Sequence, residues 1–153
     1  MTLIPVSGDP LLTRAQYLAF GANIQGRPET TPLETRLMDA YPAAFAAYRK
    51  QCQHTRIKTG AYWAWRETQP PLLFFAVRES PVGATRLRYV QAVALDLARS
   101  YRLEGMTSLA LAPLGSAYEW PEIKLVLARW LDPIDLPVYL YDTVQPGVQV
   151  DEG

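Results

Sequence analysis

The chain has 153 residues, and its 15 Lys/Arg balance 15 Asp/Glu, leaving a net charge near zero. That length fits one domain able to bury its own core, and the charge balance is unlike that of a protein that tracks along nucleic-acid backbones. A single cysteine, Cys52, excludes an internal disulfide framework, and the opening MTLIPVSGDP has neither the basic start nor the apolar run of a signal peptide.

In chain order, residues 2–6 read as a short strand that ends at Ser7-Gly8-Asp9-Pro10, and residues 17–23 as a second that ends at Gly21-Ala22-Asn23. Residues 24–32 are rich in Gly, Pro and Thr and read as a loop. Leu33, Leu37, Met38, Tyr41, Phe45 and Tyr48 then recur at helical spacing. Pro42 divides that pattern into two helices. Residues 60–67 are aromatic and loosely alternating, as in a strand, and residues 71–79 form a continuous apolar run, as in a strand buried on both faces. Thr85 is placed to cap a helix whose apolar face carries Leu87, Val90, Ala94, Leu97 and Tyr101, with Gly105 just past its end. Residues 108–113 make another central strand, 121–131 a short helix, and 137–142 a last strand. Alternating strands and helices predict an α/β layered domain. The polar, Gly- and Pro-containing residues 144–153 read as a loose tail after a domain spanning 1–143.

Four polar clusters follow strands: Gly8-Asp9, Asn23 to Glu29, Arg78-Glu79-Ser80, and Gly115 to Trp120. If the strands are parallel, these clusters share one edge of the sheet, where ligands of such domains gather. Cys52 and His54 stand two apart with no further ligand nearby, so no metal is expected. No stretch reaches membrane-spanning length, so no membrane partner and a cytoplasmic location are expected. No helix reads as a coiled coil, which is compatible with a monomer.

The order of these motifs resembles the macrodomain family, most of all its bacterial DarG-type branch, whose members remove ADP-ribose from DNA. The resemblance rests on "GD" at Gly8-Asp9, a strand ending in Asn23, a Gly-containing loop, the helix YPAAFAAYRKQC, Lys58-Thr59-Gly60 before an aromatic strand, and Ala112-Pro113-Leu114-Gly115. It covers about Leu3 to Asp142. It implies a three-layer α/β/α domain with a mixed central sheet. It also implies that Asp9, beside Gly8, binds the adenine amino group, that Asn23 orients the distal ribose, and that Tyr141 stacks on adenine. Backbone N–H groups around Leu114, Gly115, Ser116 and Ala117 would cradle the diphosphate, with Tyr118 walling the site.

The sequence also departs from the family. The second loop usually reads Met-Gly-Lys-Gly; here Gly26 is followed by Arg27, Pro28 and Glu29, so Arg27 replaces a lysine charge and Glu29 adds a carboxylate. The fourth loop is cut to Gly115–Trp120. The catalytic lysine of the DNA-acting members aligns with Arg78, which stays protonated and cannot act as a base. Glu79, next to it and followed by Ser80, is the expected base or stabiliser of a sugar cation. The reading from the sequence is therefore a hydrolase that removes mono-ADP-ribose from a protein side chain or a nucleobase, without a cofactor, using Asn23, Arg78 and Glu79. The alternatives are a non-catalytic reader of ADP-ribose and an interaction protein that kept the fold and lost the ligand.

Overall fold

A computed structural model describes residues 2–153. Its six strands are β1 (Leu3–Gly8), β2 (Tyr17–Asn23), β3 (Tyr62–Trp65), β4 (Leu72–Arg78), β5 (Leu109–Leu111) and β6 (Val138–Val144). Its four α-helices are α1 (Pro32–Ala40), α2 (Pro42–Gln53), α3 (Leu87–Ser100) and α4 (Trp120–Leu131). The strands form one sheet in the order β1-β6-β5-β2-β4-β3. Every neighbouring pair is parallel except β3–β4, so the sheet is mixed.

Strand periodicity decides the layers, because successive side chains leave opposite faces. Tyr17, Ala19, Leu73, Phe75, Leu109 and Leu111 pack under α3 and α4 with Val90, Leu97, Ile123 and Leu127. Leu18, Phe20, Ala22, Leu72, Phe74 and Ala110 pack under α1 and α2 with Leu37, Ala44 and Tyr48. The result is the α/β/α sandwich that the sequence predicts. β2 and β4 are buried along their whole length, as their unbroken apolar runs require.

The two-helix reading of residues 32–53 holds. The Thr31 hydroxyl accepts from Glu34 N at 3.2 Å, Pro32 occupies the first turn of α1, and Pro42 opens α2. Two expectations fail. Thr85 does not cap α3; Arg86 stands at that position without a side-chain cap. The Thr85 hydroxyl instead donates to Leu114 O at 2.7 Å. The segment after β6 is not loose either. Asp9 N donates to Val148 O at 2.7 Å, and Gln145 N to Gly8 O at 2.8 Å. Glu152 accepts from the hydroxyls of Thr13 and Tyr141 and from Arg14 N. Hydrogen bonds to the body of the domain thus hold a polar tail whose composition alone reads as loose.

Candidate functional site

A cleft of about 510 Å³ opens at the edge where the parallel strands end. Gly21 near the end of β2, Arg78 ending β4, Gly115 and Ser116 after β5, and Val144 ending β6 contribute to it, and the start of α1 forms its other wall. This is the position that parallel topology makes available to a ligand. A smaller cavity of about 240 Å³ adjoins it, lined by Asn23, Gly26, Arg27, Phe45 and Tyr48. Glu34 lines both.

Arg78 is the centre of the cleft floor. Its side chain is 10% exposed and that of its partner Glu29 is 8% exposed, with Nε 3.0 Å from Glu29 Oε2. Its Nη1 donates to Leu114 O at 2.9 Å and to the Thr85 hydroxyl at 3.0 Å. A Cβ on Gly21 would stand 3.1 Å from that Nη1, so the missing side chain in β2 is what lets the guanidinium lie across the strand. Asn23 belongs to the same network. Its Nδ2 donates to Glu29 Oε2 at 2.9 Å and to Arg27 O at 3.0 Å, and its Oδ1 accepts from Gln25 N at 3.1 Å. These bonds make Asn23 the organiser of the 23–29 loop and place it in the smaller cavity.

Glu34, in the first turn of α1, carries a carboxyl pushed up towards neutrality. Burial raises its carboxyl, the negative charge of Glu29 raises it further, and Arg78 opposes both only in part, so it lies at about 7. It escapes a sequence reading because an acidic residue in the first turn of a helix is normally a dipole partner.

Other expected site residues sit elsewhere. Glu79 is exposed, and its carboxylate accepts from the Tyr89 hydroxyl, away from the cleft. Ser80 is part of the turn that closes on Gly83 N. Tyr141 is fully buried, so it cannot stack on a ligand in this arrangement, and Tyr118 is 95% exposed and walls nothing. Ala117 is exposed beside it, and Leu114 is buried, its carbonyl already taken by Arg78 and Thr85. Of the residues expected to bind, Glu29, Gly115 and Ser116 do line the cleft.

Gly8 and Asp9 are covered. A Cβ on Gly8 would meet Val150 Cγ2 at 2.3 Å. Asp9 is 1% exposed. Its carboxylate pairs with Arg36 and accepts from Leu11 N at 3.0 Å and from Gly147 N at 2.8 Å. Burial pushes the Asp9 carboxyl up, but the hydrogen bonds of Arg36, Gly147 and Leu11 outweigh it and hold the group below its ordinary value. The stability it contributes is present above the unfolded carboxyl range and is lost as pH falls through the lower folded value. Asp9→Ala is therefore expected to cost about 2 kcal/mol in urea unfolding at pH 7; an unchanged midpoint would remove this tethering role.

Gly115 is needed for packing before any ligand arrives. A Cβ there would stand 2.8 Å from Ile123 Cδ1, in the core, and 2.9 Å from Glu119 Oε1. We expect Gly115→Val to destabilise the fold by about 1–3 kcal/mol, the range for overpacking, seen as a lower thermal midpoint. An unaltered midpoint would show that Ile123 yields easily.

No protein-family model matches the chain. It is similar in structure to the macrodomain of Thermus aquaticus DarG, with a TM-score of 0.82 at 24% identity, over 91% of this chain and 97% of that one. It is also similar to Thermosipho africanus DarTG in complex with ADP-ribose, with a TM-score of 0.84 at 19% identity, over 99% of this chain and 44% of that one. A curated Thermosipho africanus protein, a DNA ADP-ribosyl transferase-DNA ADP-ribosyl glycohydrolase fusion protein, is 20% identical over 170 residues. The match takes in 95% of this chain and 44% of that relative, so the chain spans less than half of the relative's length. Among the described residues no helix is long and apolar enough to cross a membrane.

Proposed function

Proceeding from the macrodomain fold that these likenesses share with the chain, we propose that the cleft binds ADP-ribose and that the protein hydrolyses mono-ADP-ribose from a modified macromolecule. The observation that supports this most is the cleft itself. It lies at the C-terminal edge of the parallel strands and combines a fixed cation, Arg78, with a carboxyl that changes charge near neutral pH, Glu34. The relative in complex with ADP-ribose supplies the ligand class.

In this reading Glu34 replaces Glu79 as the proton-transferring group. Protonated Glu34 gives its proton to the acceptor atom as the bond from the anomeric carbon of the ribose to that atom breaks. Water adds its oxygen to the anomeric carbon and returns a proton to the Glu34 carboxylate. The products are free ADP-ribose and the unmodified acceptor, and Glu34 ends as it began. A carboxyl at about 7 suits this cycle, since both of its forms are populated at neutral pH. Arg78 cannot move a proton, but it favours negative charge on the bound ligand.

A reader without hydrolysis is the second reading. It is favoured by one observation: Asn23 Nδ2 and the Nε and Nη1 of Arg78 are already engaged by the 23–29 loop, Leu114 and Thr85. One experiment separates the two. Calorimetric titration with ADP-ribose tests binding, and release of ADP-ribose from a glutamate-linked protein and from a thymine-linked oligonucleotide tests hydrolysis. Binding with release supports the hydrolase, binding without release leaves the reader, and no binding removes both.

A further inference from the structure

The fourth loop already holds an anion, and the anion is the protein's own. Glu119, which lines the cleft, accepts from Ser116 N through Oε1 at 2.9 Å and from Thr85 N through Oε2 at 2.9 Å. The two donors come from different connections, Ser116 from the one between β5 and α4 and Thr85 from the one between β4 and α3. They converge on one point, the Glu119 carboxylate, each bonding a different oxygen. Gly115 keeps that point open, because a Cβ there would stand 2.9 Å from Glu119 Oε1. Burial pushes the Glu119 carboxyl up, but the N–H groups of Ser116 and Thr85, with the charge of Arg78, hold it below its ordinary value.

We infer that Glu119 is an affinity-setting residue of this cleft: its carboxylate stands where a ligand's phosphate would be bound and competes with it. The inference rests on the reading of the cleft as an ADP-ribose site and names what controls entry to its anion position. Backbone N–H groups gathered at one point make an anion-binding concavity; of the two donors here, Ser116 lines the cleft and Thr85 is buried behind it. Here both are satisfied from within. A phosphate that uses them must displace Glu119, and one that binds beside Glu119 meets a like charge. The displacement is feasible because Glu119 is only partly buried, and its other neighbour, Ser116, is exposed. The chemical class that benefits from its removal is a phosphate or diphosphate, whereas an uncharged nucleoside gains nothing.

The test uses the whole chain. ADP-ribose, inorganic pyrophosphate and adenosine are titrated separately into wild type, Glu119→Ala and Glu119→Gln, with thermal midpoints recorded for each protein. We expect Glu119→Ala to bind ADP-ribose and pyrophosphate about tenfold more tightly than wild type, with adenosine unchanged. Glu119→Gln keeps an acceptor oxygen and loses the charge; it is expected to show the same change at about threefold, and it decides the matter if the alanine variant does not fold. Unchanged or weaker binding of both phosphorylated probes by the folded variants overturns the inference. ADP-ribose binding without any gain in the variants leaves the parent reading standing and removes this one. A gain for pyrophosphate with no ADP-ribose binding does the reverse.

Discussion

Replacing Arg78 by methionine is expected to lower stability by about 3–5 kcal/mol, the range for removing one partner of a buried ion pair. Methionine fills much of the space that the arginine stem occupies, so packing is largely preserved and charge is the main loss. The Glu29 carboxylate, 8% exposed, is left without its cation. Leu114 O loses one donor but keeps the Thr85 hydroxyl. For a domain of this size each kcal/mol moves the thermal midpoint by about 2–4 °C, so a drop of roughly 6–20 °C is expected. Glu29→Gln separates the charge effect from the hydrogen bonds, because an amide oxygen still accepts from Asn23 Nδ2. The double variant should then cost about 1–3 kcal/mol less than the sum of the single ones, as groups in direct contact are not additive. Urea unfolding of the four proteins measures this. A loss below about 1 kcal/mol for Arg78→Met, or simple additivity, would mean that the pair is weaker than its burial implies.

The second large effect concerns Glu34. If it transfers the proton, Glu34→Gln should keep ADP-ribose affinity within about threefold and lower hydrolysis by a factor on the order of 100, the pattern of a group that acts in the transition state. The pH dependence gives a sharper readout. The wild-type rate needs protonated Glu34 as acid, so it should fall as pH rises through about 7, and the glutamine variant should lose that limb. Stability responds to the same group. A carboxyl raised from 4.5 to about 7 binds a proton in the folded state that the unfolded state has lost. The contribution of Glu34 to stability should therefore be fullest below about 4.5 and decline as pH rises towards 7 and just beyond. Glu34→Gln removes this contribution to the slope. A variant with a wild-type rate and pH profile would clear Glu34 of any part in the chemistry.

The sequence by itself determined the order of elements, the helix break at Pro42, and an α/β layered plan with polar clusters after its strands. These are local or periodic properties. The continuous apolar run of residues 71–79 reads as a strand buried on both faces, and residues 17–23 as a second short strand. The resemblance to macrodomains is of the same kind, carried by the order of short motifs along the chain, and the fold agrees with it. What the polar residues do was decided by the tertiary structure. Glu79 and Arg78 are adjacent in sequence, but Arg78 ends β4 and lies under Leu114, whereas Glu79 stands in the bend that follows and turns out to Tyr89. Asp9 looks like a ligand contact until Arg36 and Gly147, distant in the chain, close on its carboxylate. Tyr141 looks like a stacking face until the sheet and the returning tail bury it. Glu34 and Glu119 have no motif at all, and their roles come from neighbours at Glu29, Arg78 and Thr85. The reason is physical: burial follows from a pattern written along one segment, whereas the charge state and direction of a polar side chain depend on groups that only folding brings within a few ångströms.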